Sequence, residues 1–216
     1  MKWVSRELIH FDRVVTPWLI RRFVDPEAEF ILIPWGKEDE RPADAIPYAL
    51  PGVELAPHDA DATTFDRVMT KYGLDDPGLL TMAQVIRNGV NKTLFDIDPP
   101  ADRAGKVAAG IMATIEAIML ASATDMETLD RSMPVLDALY ALFKAEDAAM
   151  QRGQQDPPAG ISDALWRTAF NCAILVGTRE EGHGFDGYTP VSDDAAFEAR
   201  LEAFQQTAIS FNPNGQ

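Results

Sequence analysis

The residues best suited to chemistry in this 216-residue chain are a group of arginines, three histidines and a few carboxylates near them. Arg13, Arg21 and Arg22 lie close together near the N-terminus. The last two sit inside an apolar run, TPWLIRRFVDPEAEF, that begins at Thr16. A guanidinium is planar and meets carboxylates and other oxyanions with two parallel hydrogen bonds, so such a group can form an anion clamp. On a helix Trp18 and Arg22 share one face, and Arg21 points about a quarter-turn away. One arginine can then face a pocket while the other meets a surface carboxylate. The plainer reading is a structural network in which they pair with Asp12, Asp25, Glu27 or Glu29.

His58 lies in ELAPHDADATTFD, with Glu54, Asp59, Asp61 and Asp66 nearby. A histidine among carboxylates can ligate a divalent metal, with His58, Glu54 and Asp66 as candidate ligands. It can equally serve as a general base held by an acid. No spacing here has the specificity of HExxH, and Asp59 and Asp61 also suit turn and cap positions. His10 adjoins Phe11 and Asp12 and can join the arginine group. Glu116 lies in an Ala-rich helical stretch beside Met112 and Met119. At the edge of the apolar stripe it would reach solvent. Inside the stripe it would need an arginine or a metal, or it would hold a proton. His183 and Tyr188 belong to the Gly-rich segment TREEGHGFDGYTP, which suits either a ligand-contacting loop or an ordinary surface loop. The expected catalytic set is therefore His58, Glu116 and His183. The expected substrate contacts are Arg13, Trp18, Arg21, Arg22 and Tyr188.

These side chains need elements to position them. Lys2–Glu7 has β character. Thr16 is a good N-cap and Pro17 suits a first helical position, so a short helix is expected to run to about Val24. Glu29–Trp35 reads as a buried strand, and Pro51–Pro57 as another. Thr64–Tyr72 reads as a helix ended by Gly73. Asp76-Pro77 opens a helix to about Gly89. Asp98-Pro99-Pro100 opens a longer one to about Ala121. Thr124 and Glu127 form a capping box for a helix through Met133 toward Met150, with Pro134 expected to kink or split it. Gln151–Gly160 reads as a linker, and further helices are expected from Ser162 and from Ser192. The expected fold is mainly α (α+β), with a small N-terminal β element. Residues 1–150 would form the domain, and residues 151–216 a linker and helical extension packing on it.

Composition narrows the partners. The chain carries a net charge of −15, which repels nucleic acid and anionic lipid. An anionic ligand would need a local positive site against that field. Cys172 is the single cysteine, so an internal disulfide is excluded. The N-terminus lacks an apolar signal core, and the longest apolar run, Val107 to Ala121, is interrupted by Glu116. A cytoplasmic protein is expected, with no nucleic-acid or membrane partner and with room for a homo-oligomer. With no Walker motif or GxGxxG, no nucleotide cofactor is expected, and a divalent metal ion remains a candidate.

Four motifs follow one another in the order of a known family: PWLIRRFVDPEAEF, IPYALPGVELAPH, TFDRVMTKYGLDDPGLL and MPVLDALYALF. The first roughly 145 residues resemble the bacterial chromate-resistance (ChrB-type) domain. In that family the domain often follows a DNA-binding half, which is not expected here because the resemblance starts at Lys2. The resemblance implies cysteines before Pro-Trp, before the Thr-Phe that opens the third motif and after the LYA motif. This chain has Thr16, Thr63 and Phe143 there. Thiols are the groups suited to reducing or sensing chromate, so their absence points away from the family's named role. Three functions follow as expectations. The first is a lyase or hydrolase acting on a small molecule by acid/base chemistry, metal-assisted or not. The second is a chromate-resistance accessory protein or oxyanion sensor. The third is a non-catalytic binding module.

Overall fold

The computed structural model describes residues 1–59 and 61–151. The fold is mainly α, with a small parallel sheet at its N-terminal end. The chain divides into two units, Met1–Leu136 and Asp137–Gln216. The geometry below is that of the first.

Strand β1 (Lys2–Arg6) is the centre of the sheet, flanked by β2 (Glu29–Ile33) and β3 (Ile46–Pro47), all parallel. Trp3, Val4 and Ser5 are fully buried, so both faces of β1 are covered. On one face Val4 packs with Ile33, Ala45 and Ile31. On the other, Trp3 meets the rings of Tyr48 and Tyr72 at 6.5 and 6.2 Å. The Trp3 indole N–H donates to the buried Asp25 at 3.0 Å. The third strand is Ile46–Pro47, where Pro51–Pro57 was expected. The latter is mostly turn and contributes only an isolated bridge from Leu55 to Tyr48. Gly52, at φ 72°, supplies the turn that breaks that segment.

Parallel neighbours require a crossover, and α1 (Phe11–Leu19) supplies it between β1 and β2. The helix starts earlier than Thr16 suggests. His10 is its N-cap residue, and Thr16 and Pro17 lie inside it. Phe11, Val14, Val15, Trp18 and Leu19 form one buried stripe at helical spacing, and its burial outweighs the local cap signal. Pro17 cannot donate to the preceding turn. The chain passes at Ile20–Val24 into a π-helical turn, closed by the Asp25 N–H to the Ile20 carbonyl at 2.8 Å.

Helix α2 (Thr64–Tyr72) matches its expected span, with a complete Thr63/Asp66 capping box and Gly73 left-handed at φ 64°. Helix α3 (Pro77–Phe95), capped by Asp76, continues past Gly89. A Cβ at Gly89 would lie 2.8 Å from the Phe11 ring and from the Met112 sulfur, so this glycine allows close packing and does not stop the helix. Helix α4 (Arg103–Leu120) starts at the Asp102 cap, after the predicted Pro99-Pro100. Helix α5 (Asp125–Gln151) runs unbroken through Pro134. That proline is exposed, as is Asp130, whose carbonyl it leaves to solvent. Among the described residues no helix is long and apolar enough to cross a membrane.

Candidate functional site

The carboxyl ends of the three strands and the first turn of α1 open on one side into a pocket of about 430 Å³. Open parallel sheets place ligand sites at this end, beside a central strand whose neighbours leave in opposite directions. Arg6 ends β1. His10, Phe11, Asp12 and Arg13 form the start of α1. Trp35 follows β2, Ala49 follows β3, and Pro57 and His58 come from the loop before α2. Val90, Thr93 and Leu94 close the wall from the last turns of α3. The positive end of the α1 dipole also faces this side.

The β1–α1 loop is held by a carboxylate. Asp125, at the start of α5, accepts the N–H groups of Leu8 at 2.7 Å and Ile9 at 3.3 Å. Leu8 is left-handed at φ 56°, and these bonds hold that conformation in place.

Two guanidiniums share one aromatic ring. Arg6 lies 4.2 Å and Arg13 5.1 Å from the Trp35 ring centre. The Trp35 indole N–H donates to the Glu7 carbonyl at 3.0 Å, which orients the ring. Arg6 is ion-paired with Glu38. Backbone N–H groups of Glu38 and Gly36, together with Arg6, hold the Glu38 carboxyl below its usual range. Arg13 differs, because its Nη1 is buried with no hydrogen-bond partner among the described residues. Burial, and Arg6 beside it, pull its pKa below the ordinary guanidinium value. Behind it lies the fully buried Tyr48. Burial pushes that phenol well up, tempered by Arg13 and by the neighbouring Ser5 hydroxyl. Neither hydroxyl has a well-formed hydrogen bond among the described residues.

Asp12 is also buried and is fully engaged. Its Oδ1 accepts from the Thr16 hydroxyl at 3.3 Å, and its Oδ2 accepts the Thr64 N–H at 3.1 Å. The same Oδ2 lies 3.7 Å from His58 Nδ1. That is an orienting distance, longer than a direct hydrogen bond. His10 Nε2 lies 3.9 Å from Glu116 Oε1 at the rim, and both side chains are well exposed.

Of the residues singled out from sequence, Arg13 and His58 line this pocket, with His10 and Asp12 beside them. The others are elsewhere. Arg21 meets Asp130 at 3.8 Å and covers the Phe30 ring, and neither Arg21 nor Arg22 lines the pocket. Trp18 is core, packed on Phe23 and Phe65. Glu116 is exposed on α4, at the edge of the apolar stripe and not inside it. Glu54 pairs with Lys71, and Asp66 caps α2 and pairs with Arg87, so these two do not converge with His58. Among the described residues no three His, Cys, Asp or Glu side chains gather as metal ligands. His183 and Tyr188 lie outside the described residues. Thr16 and Thr63, where the resemblance implies cysteines, are buried and use their hydroxyls to tie Asp12 and to cap α2.

Sequence reading passed over Arg6, Trp35 and Glu38. The available signal was their position: Arg6 ends the first strand segment, and Trp35 and Glu38 follow the second.

No solved structure matches this chain. A curated relative, Protein ChrB of Cupriavidus metallidurans, is 32% identical over 149 residues, covering 67% of this chain. The aligned part is 41% of that relative's own length, so the chain matches well under half of it. The family model for the ChrB C-terminal domain matches residues 3–143. That span contains every element that builds the pocket, and the chain belongs to the ChrB C-terminal domain family.

Proposed function

We propose that this domain binds an oxygen-rich anion in the pocket at the strand ends. The observation that carries the reading is Arg13, a pocket-lining guanidinium with a buried donor that has no partner among the described residues, beside a second guanidinium on the same indole. Leaving a buried charged donor unpaired costs free energy, and an anion with several acceptor oxygens would recover it. The acidic chain as a whole would repel such a ligand, so the local concentration of cations here supports a dedicated site. Membership of the ChrB C-terminal domain family agrees with an oxyanion ligand, and Thr16 and Thr63 in place of the implied cysteines favour an accessory binding role over thiol-based sensing.

Calorimetric titration with sulfate and with chromate at moderate salt tests this. Saturable binding that Arg13→Gln weakens by roughly tenfold to a hundredfold is expected, from the loss of about 1.5–3 kcal/mol of charge-assisted hydrogen bonding. Absence of binding at millimolar ligand would refute it.

A second reading rests on the Asp12–His58 approach of 3.7 Å. A buried carboxylate facing Nδ1 would hold the ring so that Nε2 acts as acid or base. The domain would then be a lyase that removes a proton next to the carboxylate of a small acid. Deuterium uptake from heavy water at the carbon next to a carboxylate, seen by NMR and lost in His58→Gln, would support it. No exchange in a panel of such acids would count against it.

A further inference from the structure

We infer that the natural ligand of this pocket is an organic carboxylate with an apolar, ring-sized body, in preference to a bare tetrahedral oxyanion. The inference rests on the anion-binding reading above and names the ligand class.

The pocket has two unlike walls. Arg6 and Arg13 bring positive charge to the lining, and Phe11, Val90 and Leu94 form its apolar wall. A volume of about 430 Å³ falls within the range of small-molecule sites, roughly 300–1,000 Å³. A tetrahedral oxyanion held by the guanidiniums would occupy a small part of it and leave the apolar wall wet. Phe11 and Val90, at 2% and 4% exposure, are packed into the core behind that wall. Leu94 and Trp35 are 49% and 52% exposed and stand on the rim. Single exposed apolar side chains are ordinary on a surface. Two large ones bordering a concavity with an apolar part to its lining are placed to contact an apolar body.

The charge arrangement fits a singly charged head group. Glu38 already answers Arg6, and Asp12 is committed to Thr16 and Thr64. Arg13 remains, and its planar fork matches one carboxylate. Thr93 on α3 points its hydroxyl back to the Gly89 carbonyl at 3.0 Å, which leaves that part of the wall without a free donor for further ligand oxygens.

The test compares acetate, benzoate and sulfate as calorimetric probes on the full chain, with Arg13→Gln and Leu94→Gln variants checked for folding by circular dichroism. Benzoate should bind roughly tenfold or more tightly than acetate, because the ring leaves water for the apolar wall. Arg13→Gln should weaken all probes that bind. Leu94→Gln should weaken benzoate severalfold and leave acetate and sulfate unchanged. Leu94 is half-exposed on the helix surface, so that variant retains the fold. If sulfate binds in an Arg13-dependent way and benzoate is no tighter than acetate, the ligand class is wrong and the anion site stands. Equal weakening of sulfate and benzoate by Leu94→Gln also overturns the ligand class. If none of the probes binds, both readings fall.

Discussion

The Arg13 guanidinium lies 5.1 Å from the Trp35 ring centre, on an indole that Arg6 also covers at 4.2 Å. The ring keeps two like charges together at the mouth of a pocket in a chain of net charge −15. Cation–π attraction is worth about 0.5–1 kcal/mol per pair at an exposed ring. Trp35→Leu should therefore weaken anion binding roughly threefold to tenfold by calorimetry, since both arginines gain freedom. The ring is 52% exposed, so the urea midpoint should move little.

Asp12 holds the start of α1 to the start of α2 and also faces His58. Asp12→Ala would strand the buried Thr64 N–H and the Thr16 hydroxyl. A loss of about 1–3 kcal/mol in urea unfolding is expected for each stranded buried group. Asp12→Asn keeps an acceptor oxygen and should cost clearly less. Equal losses in the two variants would show that the hydrogen bonds are not what Asp12 supplies.

Two glycines of α4 should respond in opposite directions to alanine. A Cβ at Gly105 would sit 1.9 Å from the Pro100 carbonyl oxygen, a backbone atom that cannot rotate away. Gly105→Ala should destabilise by about 1–3 kcal/mol or shift the start of the helix. A Cβ at Gly110 would meet nothing within 4 Å among the described residues. Gly110→Ala should stabilise by up to about 1 kcal/mol through helix propensity. Thermal unfolding of the two variants beside the parent decides both.

Asp25 gives the fold a defined acid sensitivity. Hydrogen bonds from the Met1 amino group and the Trp3 indole hold its carboxyl below the ordinary range. A carboxylate depressed in the folded state contributes stability fully above its unfolded pKa of about 3.9. That contribution is lost as pH falls through the folded value. Urea midpoints should therefore drop below about pH 4. In Asp25→Asn the midpoint should be lower at neutral pH and should fall less steeply in acid. Identical pH profiles for the two proteins would exclude Asp25 as the cause.

Much of this architecture was legible from local chemistry. Helix α2 was readable because Thr63, Asp66 and Gly73 fix both of its ends. The strands at Trp3 and at Phe30 were readable from short apolar runs. The start of α1 was not, because burial of Phe11 and Val14 decides it, and burial depends on residues far away in sequence. Gly89 was misread for the same reason. Its use as a contact with Phe11 and Met112 exists only after α1, α3 and α4 are packed. Within the site, Arg13 and His58 stood out by type. Arg21 and Arg22 stood out more, yet the π-helical turn carries them away from the pocket, toward Asp130 in the case of Arg21. Arg6 and Trp35 become neighbours only through the parallel pairing of β1 with β2, whose register sets Arg6 beside Ile33.

The anion site rests on Arg13, and the most direct measurement is a side-by-side calorimetric titration of the parent, Arg13→Gln and Arg21→Gln with benzoate and sulfate. Saturable binding in the parent and in Arg21→Gln, weakened tenfold or more in Arg13→Gln, is the predicted result. Equal affinity in the parent and Arg13→Gln, or loss of binding in Arg21→Gln alone, would contradict it.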